Sequence, residues 1–543
     1  MEARIQFDNN RLRRYRASSA AFCPMRNILH QRFTSARQTL RLLALSLIFQ
    51  CVCLHACHAA PGHVILVCPP AFTKAMQPWI AQRQSEGLSI TTIRPPVRGE
   101  QLRTVINKAA TDATRYVLLV GDAPVIGRAS DPSRQTPILY ARTTVTAQWG
   151  SPPTLSSDML YGDFNRDSIP DAAVGRLPVA NVSQLRNWIS RILVRESSDD
   201  FGPWRSRIQV IGGIGGFGKL ADMAIESVTR SIVTTMLPAE TRTHISYASP
   251  GHPFCPKQAS FTDAILENYS RGSRFWVYAG HGNVTELDRV ASSLGGKPVL
   301  DHESVGRLST APNMAPIAVL LACFTGACDA PEESIAEKMV LNERGPVAVF
   351  AGSRVTMPYG NTTAAVGLIN GIFNQKLPRL GDAWLSALRQ MQTETTDPNA
   401  PGRIVIDSLA MLISPSGTKL PDERHEHMLL YNLLGDPTLR LQHPQQLDIS
   451  RSTDEQHPRN LQIKLTSPIS GTVIITVDRP LGAVKTGDPN HTTLFETRTT
   501  VEANKALQLE LRIPESTTGP VIVRGMVSGE NAWASDAFKT ILN

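Results

Sequence analysis

Two stretches of this 543-residue chain decide its fold: residues 275–282, which read FWVYAGHG, and residues 318–326, which read AVLLACFTG. Each is an apolar run typical of a buried β-strand, and each ends at one reactive side chain, His281 or Cys323. If the two strands are parallel neighbours, the imidazole and the thiol meet at the carboxyl edge of a sheet, where open α/β sheets hold their active sites. Cysteine and histidine together supply a nucleophile and its base, so the pair predicts covalent catalysis.

The sequence around these stretches alternates strand and helix from residue 63 to about residue 436. Continuous apolar strands separated by amphipathic helices are typical of a parallel sheet covered on both faces. We therefore predict an α/β fold made of two such units, the second carrying His281 and Cys323. The other predicted strands span residues 64–68, 89–93, 116–120, 207–211, 244–247, 347–351 and 429–436, and the predicted helices span residues 73–86, 99–111, 219–237, 260–269, 332–342, 362–373 and 382–392.

The pattern changes after Pro444, where short stretches alternate polar and apolar residues. Such stretches, separated by Pro, Gly and Asn, span residues 461–465, 471–477, 493–501, 506–513 and 520–526. Their spacing predicts a β-sandwich. The predicted organisation is a leader over residues 1–60, a first α/β subdomain over 61–205, a catalytic α/β subdomain over 206–443 and the sandwich over 444–543.

The formal net charge of +8 lies almost wholly in the leader. Residues 1–60 hold nine Arg, no Lys and two acidic residues, a net of +7, which leaves +1 for the rest of the chain. A nearly neutral body gives no reason to expect a nucleic-acid partner.

The leader has the pattern of an export signal. Arginines precede the apolar run 42–54, and small residues follow it. The run is too short for a comfortable transmembrane span, so we predict an exported protein, with Met25 as a candidate start; an N-terminal core helix is the alternative. Residues 54–57 also resemble a lipoprotein box, so a lipid on Cys57 is the one membrane contact that the sequence suggests.

Four cysteines remain once the leader is removed: Cys68, Cys255, Cys323 and Cys328. They are too few and too unevenly spaced for a disulfide framework or a metal site. Cys68 lies inside a predicted strand and reads as a buried apolar residue. Cys328 is the rival nucleophile, but it lies in the acidic loop that follows Cys323 and not at the end of a strand.

Glycines on both sides of His281 allow the backbone to approach a substrate closely. The Gly282 N–H is then available to a substrate carbonyl. Together with the Cys323 N–H, it would stabilise the oxyanion of a tetrahedral intermediate.

Four segments in order resemble the gingipain family of cysteine peptidases, which belongs to the caspase-like clan. They are YAGHG at residues 278–282, LACFTG at 321–326, SDMLYG at 157–162 followed by AVGRLP at 173–178, and YNLLGDPTL at 431–439. The resemblance extends over about residues 60–445. It implies a caspase-like fold of paired α/β subdomains followed by an immunoglobulin-like β-sandwich.

The resemblance also implies an activity: an endopeptidase of protein or peptide substrates that needs no cofactor. In that reading Cys323 is the nucleophile, His281 is the general acid and base, and Asp171 orients His281. Two alternatives stay open. One is a sortase-like transpeptidase that uses the same pair, and the other is a catalytically idle surface binding protein.

Asp171 has a second interpretation, as a ligand of structural calcium. Asp163, Asn165, Asp167 and Asp171 occupy relative positions 1, 3, 5 and 9, the rhythm of a calcium-binding loop. Ser168 stands where an EF-hand has its turn glycine, and no Glu follows at position twelve. The alternative is a solvated acidic turn.

The glycine-rich segment 212–218 follows a predicted strand and precedes a helix, which is also the context of a nucleotide-binding loop. Its spacing is poor, so a strand-to-helix turn is the preferred interpretation.

Substrate preference is not carried over from the family. A basic P1 residue would need a carboxylate beside Cys323, and the nearest candidates in sequence are Asp329, Glu332 and Glu333. Arg354 follows the next strand and would disfavour a basic P1 residue if it pointed into the pocket.

Overall fold

The computed structural model describes residues 62–216, 218–257, 260–393, 403–413, 419–452, 461–484, 487–513 and 517–542. The predictions about the leader, its export signal and Cys57 lie outside these residues. None of the helices described here combines the length and the apolar character that crossing a membrane requires.

One sheet organises the α/β part of the chain. Its strands run in the spatial order β2-β1-β3-β6-β12-β11-β10-β9-β7-β8, while β4 and β5 form a separate hairpin. In chain order the strands are β1 (His63–Val67), β2 (Ser89–Ile93), β3 (Thr114–Val120), β4 (Leu139–Arg142), β5 (Thr154–Ser157), β6 (Ala173–Leu177), β7 (Arg207–Gly212), β8 (Arg242–Tyr247), β9 (Phe275–Ala279), β10 (Ile317–Leu321), β11 (Ala348–Gly352) and β12 (Tyr431–Leu434).

The sheet consists of two halves, each built of parallel strands, and the strands of one half run antiparallel to those of the other. Within each half the strands pair in parallel, but β11 and β12 pair in antiparallel fashion. The inner strands of both halves are mostly apolar and buried because helices cover the sheet, whereas the edge strands β2 and β8 are more polar and more exposed. The predicted α/β fold with a parallel-dominated sheet is therefore confirmed.

Four of the described helices start at a side-chain cap. Ser260 accepts a hydrogen bond from the Asp263 amide, and Ser334 forms a capping box with Glu337, so the helix predicted from residue 332 begins only at Ile335. The helices are α1 (Gln77–Ser85), α2 (Gly99–Ala109), α3 (Val182–Ser197), α4 (Lys219–Ser231), α5 (Phe261–Ser270), α6 (His302–Gly306), α7 (Ile335–Leu341), α8 (Pro358–Ile369), α9 (Leu380–Gln392), α10 (Arg403–Ile413) and α11 (Leu420–Leu430).

Helix α3 was not predicted, although Leu185, Trp188, Ile189 and Ile192 recur at helical spacing on its buried face. The same face also buries Arg191, Arg195 and Glu196. Each has polar partners, and Glu196 forms an ion pair with Arg83 of α1 at 2.7 Å. Arg83 also forms an ion pair with Asp436, which follows β12, at 2.8 Å. Buried ion pairs therefore connect α1 both to α3 and to the end of β12.

The C-terminal part folds as two facing sheets. Residues such as Val473, Ile475 and Val477 alternate inward and form their common core, as expected of a β-sandwich. The sheets have the orders β13-β20-β19-β16-β17 and β14-β15-β18. The strands are β13 (Gln445–Gln446), β14 (Asp448–Ser452), β15 (Leu461–Thr466), β16 (Gly471–Asp478), β17 (Thr493–Val501), β18 (Ala506–Leu511), β19 (Gly519–Ser528) and β20 (Trp533–Leu542), of which β13, β14 and β20 were not predicted.

Candidate active site

The register of β9 and β10 brings His281 and Cys323 to neighbouring strand ends. The two strands pair in parallel, with Phe275 opposite Ile317 and Ala279 opposite Leu321. The same sequence offset separates His281 from Cys323, and each lies two residues beyond the last pair. Since paired strands lie about 4.8 Å apart, the imidazole and the thiol are carried on adjacent strand ends at one edge of the sheet.

The loops after these two strands are in direct contact. The Gly280 amide donates to the Leu321 carbonyl at 3.3 Å. A side chain at Gly282 would place its Cβ 2.9 Å from Thr325 Cγ2 and 3.2 Å from the Cys323 carbonyl oxygen. Only glycine permits this approach, so the residue after the histidine is fixed by packing against the cysteine loop.

A backbone carbonyl sets the orientation of the His281 ring. Its Nε2 lies 3.0 Å from the carbonyl oxygen of Gly215. Because a carbonyl only accepts hydrogen bonds, Nε2 carries the proton in the neutral ring and Nδ1 carries the lone pair. The described glycine-rich residues 212–216 and 218 thus lie where the strand-to-helix turn was predicted, between β7 and α4. Gly215 contacts the histidine there, which the sequence did not reveal.

Asp288 ties the histidine loop to the glycine-rich turn. Its Oδ2 accepts hydrogen bonds from the amides of His281 at 3.1 Å and Ile214 at 3.0 Å, and from the Tyr278 hydroxyl at 2.9 Å. Burial, and next the Asp288 carboxylate, raise the pKa of Tyr278 well above its ordinary value, so the hydroxyl keeps the proton that it donates. Sequence reasoning missed Asp288, seven residues beyond the histidine.

The Cys323 sulfur lies against Thr356, in the loop between β11 and α8. The Thr356 amide donates to Sγ at 3.3 Å, a hydrogen bond that also suits a thiolate. Behind it, Asn361 donates to the Thr356 hydroxyl at 3.1 Å and accepts from the Tyr431 hydroxyl at 2.7 Å. These hydrogen bonds hold in place the loop that the sulfur contacts. The sequence drew attention to Arg354 in this loop but assigned no role to Thr356.

The backbone turns sharply just after the cysteine. Phe324 has a φ of 58°, in the left-handed region that costs a residue with a side chain about 1 to 3 kcal/mol. Its amide donates to the Arg354 carbonyl at 2.9 Å, which holds the turn. A sharp turn at this point leaves the preceding side chain at the edge of the sheet.

The two amides of the predicted oxyanion hole, those of Gly282 and Cys323, lie at this edge. Among the residues that the structure describes, neither the Gly282 nor the Cys323 N–H donates to a backbone or side-chain acceptor. Both residues are half-buried, so these donors are partly shielded from bulk water.

The other described cysteines are less suited to nucleophilic attack. Cys328 is 5% exposed, and burial, followed by the charge of Glu337, raises the pKa of its thiol well above the usual range. Burial raises the pKa of Cys68 to about 11. Since the thiolate is the attacking species, Cys323 is the better candidate.

Asp171 lies elsewhere. It precedes β6, and β6 is separated from β9 by four strand spacings in the sheet, roughly 19 Å. Its Oδ2 accepts from the Phe164 amide at 2.8 Å. The expectation that Asp171 orients His281 therefore does not hold in this structure, where the Gly215 carbonyl and Asp288 hold that loop.

The acidic turn around Asp171 is closed by its own hydrogen bonds. The Asp163 carboxylate accepts from Arg103 at 2.9 Å and from the Ser168 amide at 3.1 Å, while Asn165 and Asp167 cap neighbouring amides. No group of three His, Cys, Asp or Glu side chains in the described ranges is arranged to hold a metal ion. A calcium ion would have to compete with the Arg103 guanidinium for the Asp163 carboxylate, so the predicted ligands do not fit calcium as arranged.

Calcium titration tests this arrangement. We expect the unfolding temperature to be unchanged by millimolar calcium, because Arg103 already neutralises Asp163. The measurement is a thermal melt with calcium and with a chelator, on the wild type and on Asp167→Ala. Stabilisation of the wild type that Asp167→Ala removes would show that the ion does displace Arg103.

The charged residues that the sequence offered as P1 determinants are paired or exposed in the structure. Arg354 and Asp329 form a bidentate pair at 2.6 and 2.9 Å, and the two residues are only 4% and 1% exposed. Glu332 is exposed to solvent, and Glu333 pairs with Lys338 at 3.4 Å. None of these groups is left as an unpaired buried charge that would select a charged P1 side chain.

A second buried carboxyl group lies close to Cys328. Burial, and next Asp122, raise the pKa of Glu337 well above its usual range, so Glu337 binds a proton more tightly in the folded than in the unfolded chain. Its contribution to stability is therefore present in acid and is lost as the pH rises through the raised pKa. We expect Glu337→Gln to unfold at a higher temperature than the wild type at pH 8, by a margin that vanishes towards pH 4. Thermal melts across pH measure this, with the exposed Glu332→Gln as control; a margin that does not depend on pH would contradict it.

Comparison with known proteins identifies the family. Residues 58–442 match peptidase family C25. The crystal structure of "the Arg specific cysteine proteinase gingipain R (RGPB)" superposes with a TM-score of 0.52 at 15% identity, covering 88% of this chain and 98% of the other. A complex of the Porphyromonas gingivalis RgpB pro- and mature domains superposes with a TM-score of 0.51 at 14% identity, covering 89% of this chain and all of the other.

Among curated proteins no sequence matches the chain. The two superpositions show a shared fold at low identity, and the family match covers more than half of the chain, including both strand ends described above. The chain therefore belongs to the C25, or gingipain, family, and is a cysteine-type peptidase that acts on protein or peptide substrates.

Proposed function

We propose that the chain is an exported endopeptidase that cleaves peptide bonds through a Cys323–His281 dyad and a thioester acyl-enzyme. The observation that carries the proposal is the parallel register of β9 and β10, which brings these two residues to adjacent strand ends. The leader supports export, with lipid attachment at Cys57 as the variant that would anchor the protein to a membrane.

The proposed reaction uses groups already placed at the site. His281 Nδ1 takes the thiol proton, and the sulfur attacks the carbonyl carbon of the scissile bond. The oxyanion accepts hydrogen bonds from the Gly282 and Cys323 amides. His281 then gives its proton to the leaving amine as the C–N bond breaks and the thioester forms. A water molecule, deprotonated by His281, attacks the thioester; the carboxylic acid leaves and the thiol is restored.

We propose an uncharged P1 residue for this peptidase. The buried carboxylate closest to Cys323 in sequence, Asp329, is already bonded through both oxygens to Arg354. A basic P1 side chain would have to break this bidentate pair, and an acidic one would have to compete with Asp329 for the same guanidinium. Both exchanges leave a charge buried without its partner, which is costly.

A cleavage profile tests the activity and the preference together. We expect the purified mature chain to cut a peptide library after uncharged residues and to cut poorly after Arg, Lys, Asp or Glu. Added amine nucleophiles separate hydrolysis from transpeptidation, because both draw on the same thioester. Hydrolysis products alone support the endopeptidase. Amide products in good yield would assign the transpeptidase, and no cleavage by a labelled, folded chain would overturn the proposal.

A further inference from the structure

A large cleft separates the catalytic α/β part from the β-sandwich, away from Cys323 and His281. Its volume is about 1410 Å³. One wall is the edge strand β8 with part of α5, and the other is formed by residues 478–481 and 487–493 and by the ends of β19 and β20. Pockets for small ligands usually measure about 300 to 1,000 Å³, so this interdomain cleft has room for a polymer segment.

The interdomain cleft is basic. Seven Arg and Lys side chains line it against three acidic ones. The acids are already engaged: Asp478 bonds Arg524 at 2.6 Å, Glu267 bonds Arg271 at 2.7 Å, and Asp488 lies 3.7 Å from His491. Arg242 also lies 3.9 Å from Asp478, so seven basic side chains share three carboxylates and the cleft as a whole keeps an excess of four positive charges.

The arginines of one wall repel each other. Arg207 of β7, Arg242 of β8 and Arg271 at the end of α5 all face the cleft. Burial, followed by Arg271 and Arg242, lowers the pKa of Arg207. Burial, together with the charges of Arg271 and Arg207, lowers the pKa of His244 to about 4. This ring is therefore neutral at pH 7 and adds no charge to the cleft. The hydrogen bonds of Arg207 go to the carbonyls of Arg271 and Gly272, which leaves its charge without a carboxylate.

The same wall offers the edge of a sheet. The outward amide and carbonyl of Ile245 are bonded to the carboxamide of Asn490, at 2.8 and 3.0 Å, much as a peptide group of a neighbouring strand would bond them. Because backbone groups alternate along a strand, Thr243 turns its amide and carbonyl to the same side. An extended peptide can pair with such an edge.

We propose that the interdomain cleft is a docking site for an acidic, extended peptide segment, which pairs with the edge of β8 in place of Asn490 and sets its carboxylates against Arg207, Arg242 and Arg271. The leader of this chain is excluded as the occupant because its net charge of +7 has the wrong sign. Binding here does not depend on the Cys323–His281 pair.

The test uses the full chain with Cys323→Ala, so that a peptide is not consumed. Fluorescence anisotropy measures the affinity for a labelled peptide of alternating Glu and Thr, and mass spectrometry verifies that it stays intact. We expect saturable binding that weakens at high ionic strength and weakens about tenfold in Arg271→Glu. Arg230→Glu is the matched control: Arg230 also pairs with a glutamate four residues earlier, at 2.9 Å, but does not line the cleft.

Three results would overturn the proposal. The first is absence of saturable binding, or an equal loss in Arg230→Glu and Arg271→Glu. The second is an affinity for a control peptide that equals the affinity for the acidic peptide. A peptide of alternating Gln and Thr tests the contribution of charge, and the acidic peptide N-methylated at alternate amides tests the contribution of strand pairing. The third is binding of inorganic polyphosphate as tight as that of the peptide and equally sensitive to Arg271→Glu, which would assign the cleft to polyanions in general.

Discussion

Cys323→Ala abolishes peptide-bond cleavage and labelling by a thiol-directed peptidyl inhibitor, while the chain stays folded. The expected loss in kcat is at least about a thousandfold, because removal of the nucleophile leaves only binding and oxyanion stabilisation. Folding is retained because Cys323 is half-buried and its sulfur contacts the loop at Thr356 rather than the apolar core. Turnover of a peptide substrate and mass spectrometry of the labelled chain measure the two effects.

The matched control is Cys328→Ala, five residues further along the chain. Its thiol is buried and does not form the proposed dyad, so we expect labelling at Cys323 to persist in this variant. His281→Ala should lower kcat by a similar factor to Cys323→Ala, and the double variant should lose little more, since the two residues act in one step. Label that moves to Cys328, or cleavage that survives Cys323→Ala, would overturn the assignment.

Asp329→Asn destabilises the chain by about 3 to 5 kcal/mol, the usual cost of leaving one partner of a buried ion pair uncompensated. The Arg354 guanidinium would stay buried against the carbonyls of Thr154 and Ser353, with its counter-charge gone. Denaturant unfolding at pH 7 measures the loss in free energy. A cleavage profile recorded on the folded fraction adds a second readout, since an unpaired Arg354 beside the site should improve cleavage after acidic residues.

The control for this second prediction is an exposed pair of similar length. Asp263 and Arg307 lie 2.6 Å apart with about half of each side chain exposed, so Asp263→Asn should cost no more than about 1 kcal/mol. Equal losses in Asp329→Asn and Asp263→Asn would mean that burial of the Arg354 pair contributes nothing. An unchanged cleavage profile would mean that this pair does not influence the P1 pocket.

Local sequence predicted most of the strands, seven of the described helices and the two residues at the strand ends. The run of apolar residues before His281 and before Cys323 stops abruptly, and the pairing in the structure has the offset that this spacing requires. The seven helices were found within a few residues of their observed ends, whereas α3, α6, α10 and α11 and the hairpin of β4 and β5 were not predicted. The alternating stretches after Pro444 predicted the sandwich, although three of its strands were not recognised.

The partners of the two reactive side chains were decided by tertiary structure alone. The sheet places β7 beside β9, which brings Gly215 to the His281 ring, and β11 beside β10, which brings Thr356 to the sulfur. Spacing along the chain does not contain this order, because strands close in sequence need not be neighbours in a sheet. Asp171, which was assigned by resemblance, therefore lies four strands away from the strand that carries His281. The ring of His281 is instead hydrogen-bonded to a backbone carbonyl, a contact that a pattern of side chains cannot predict.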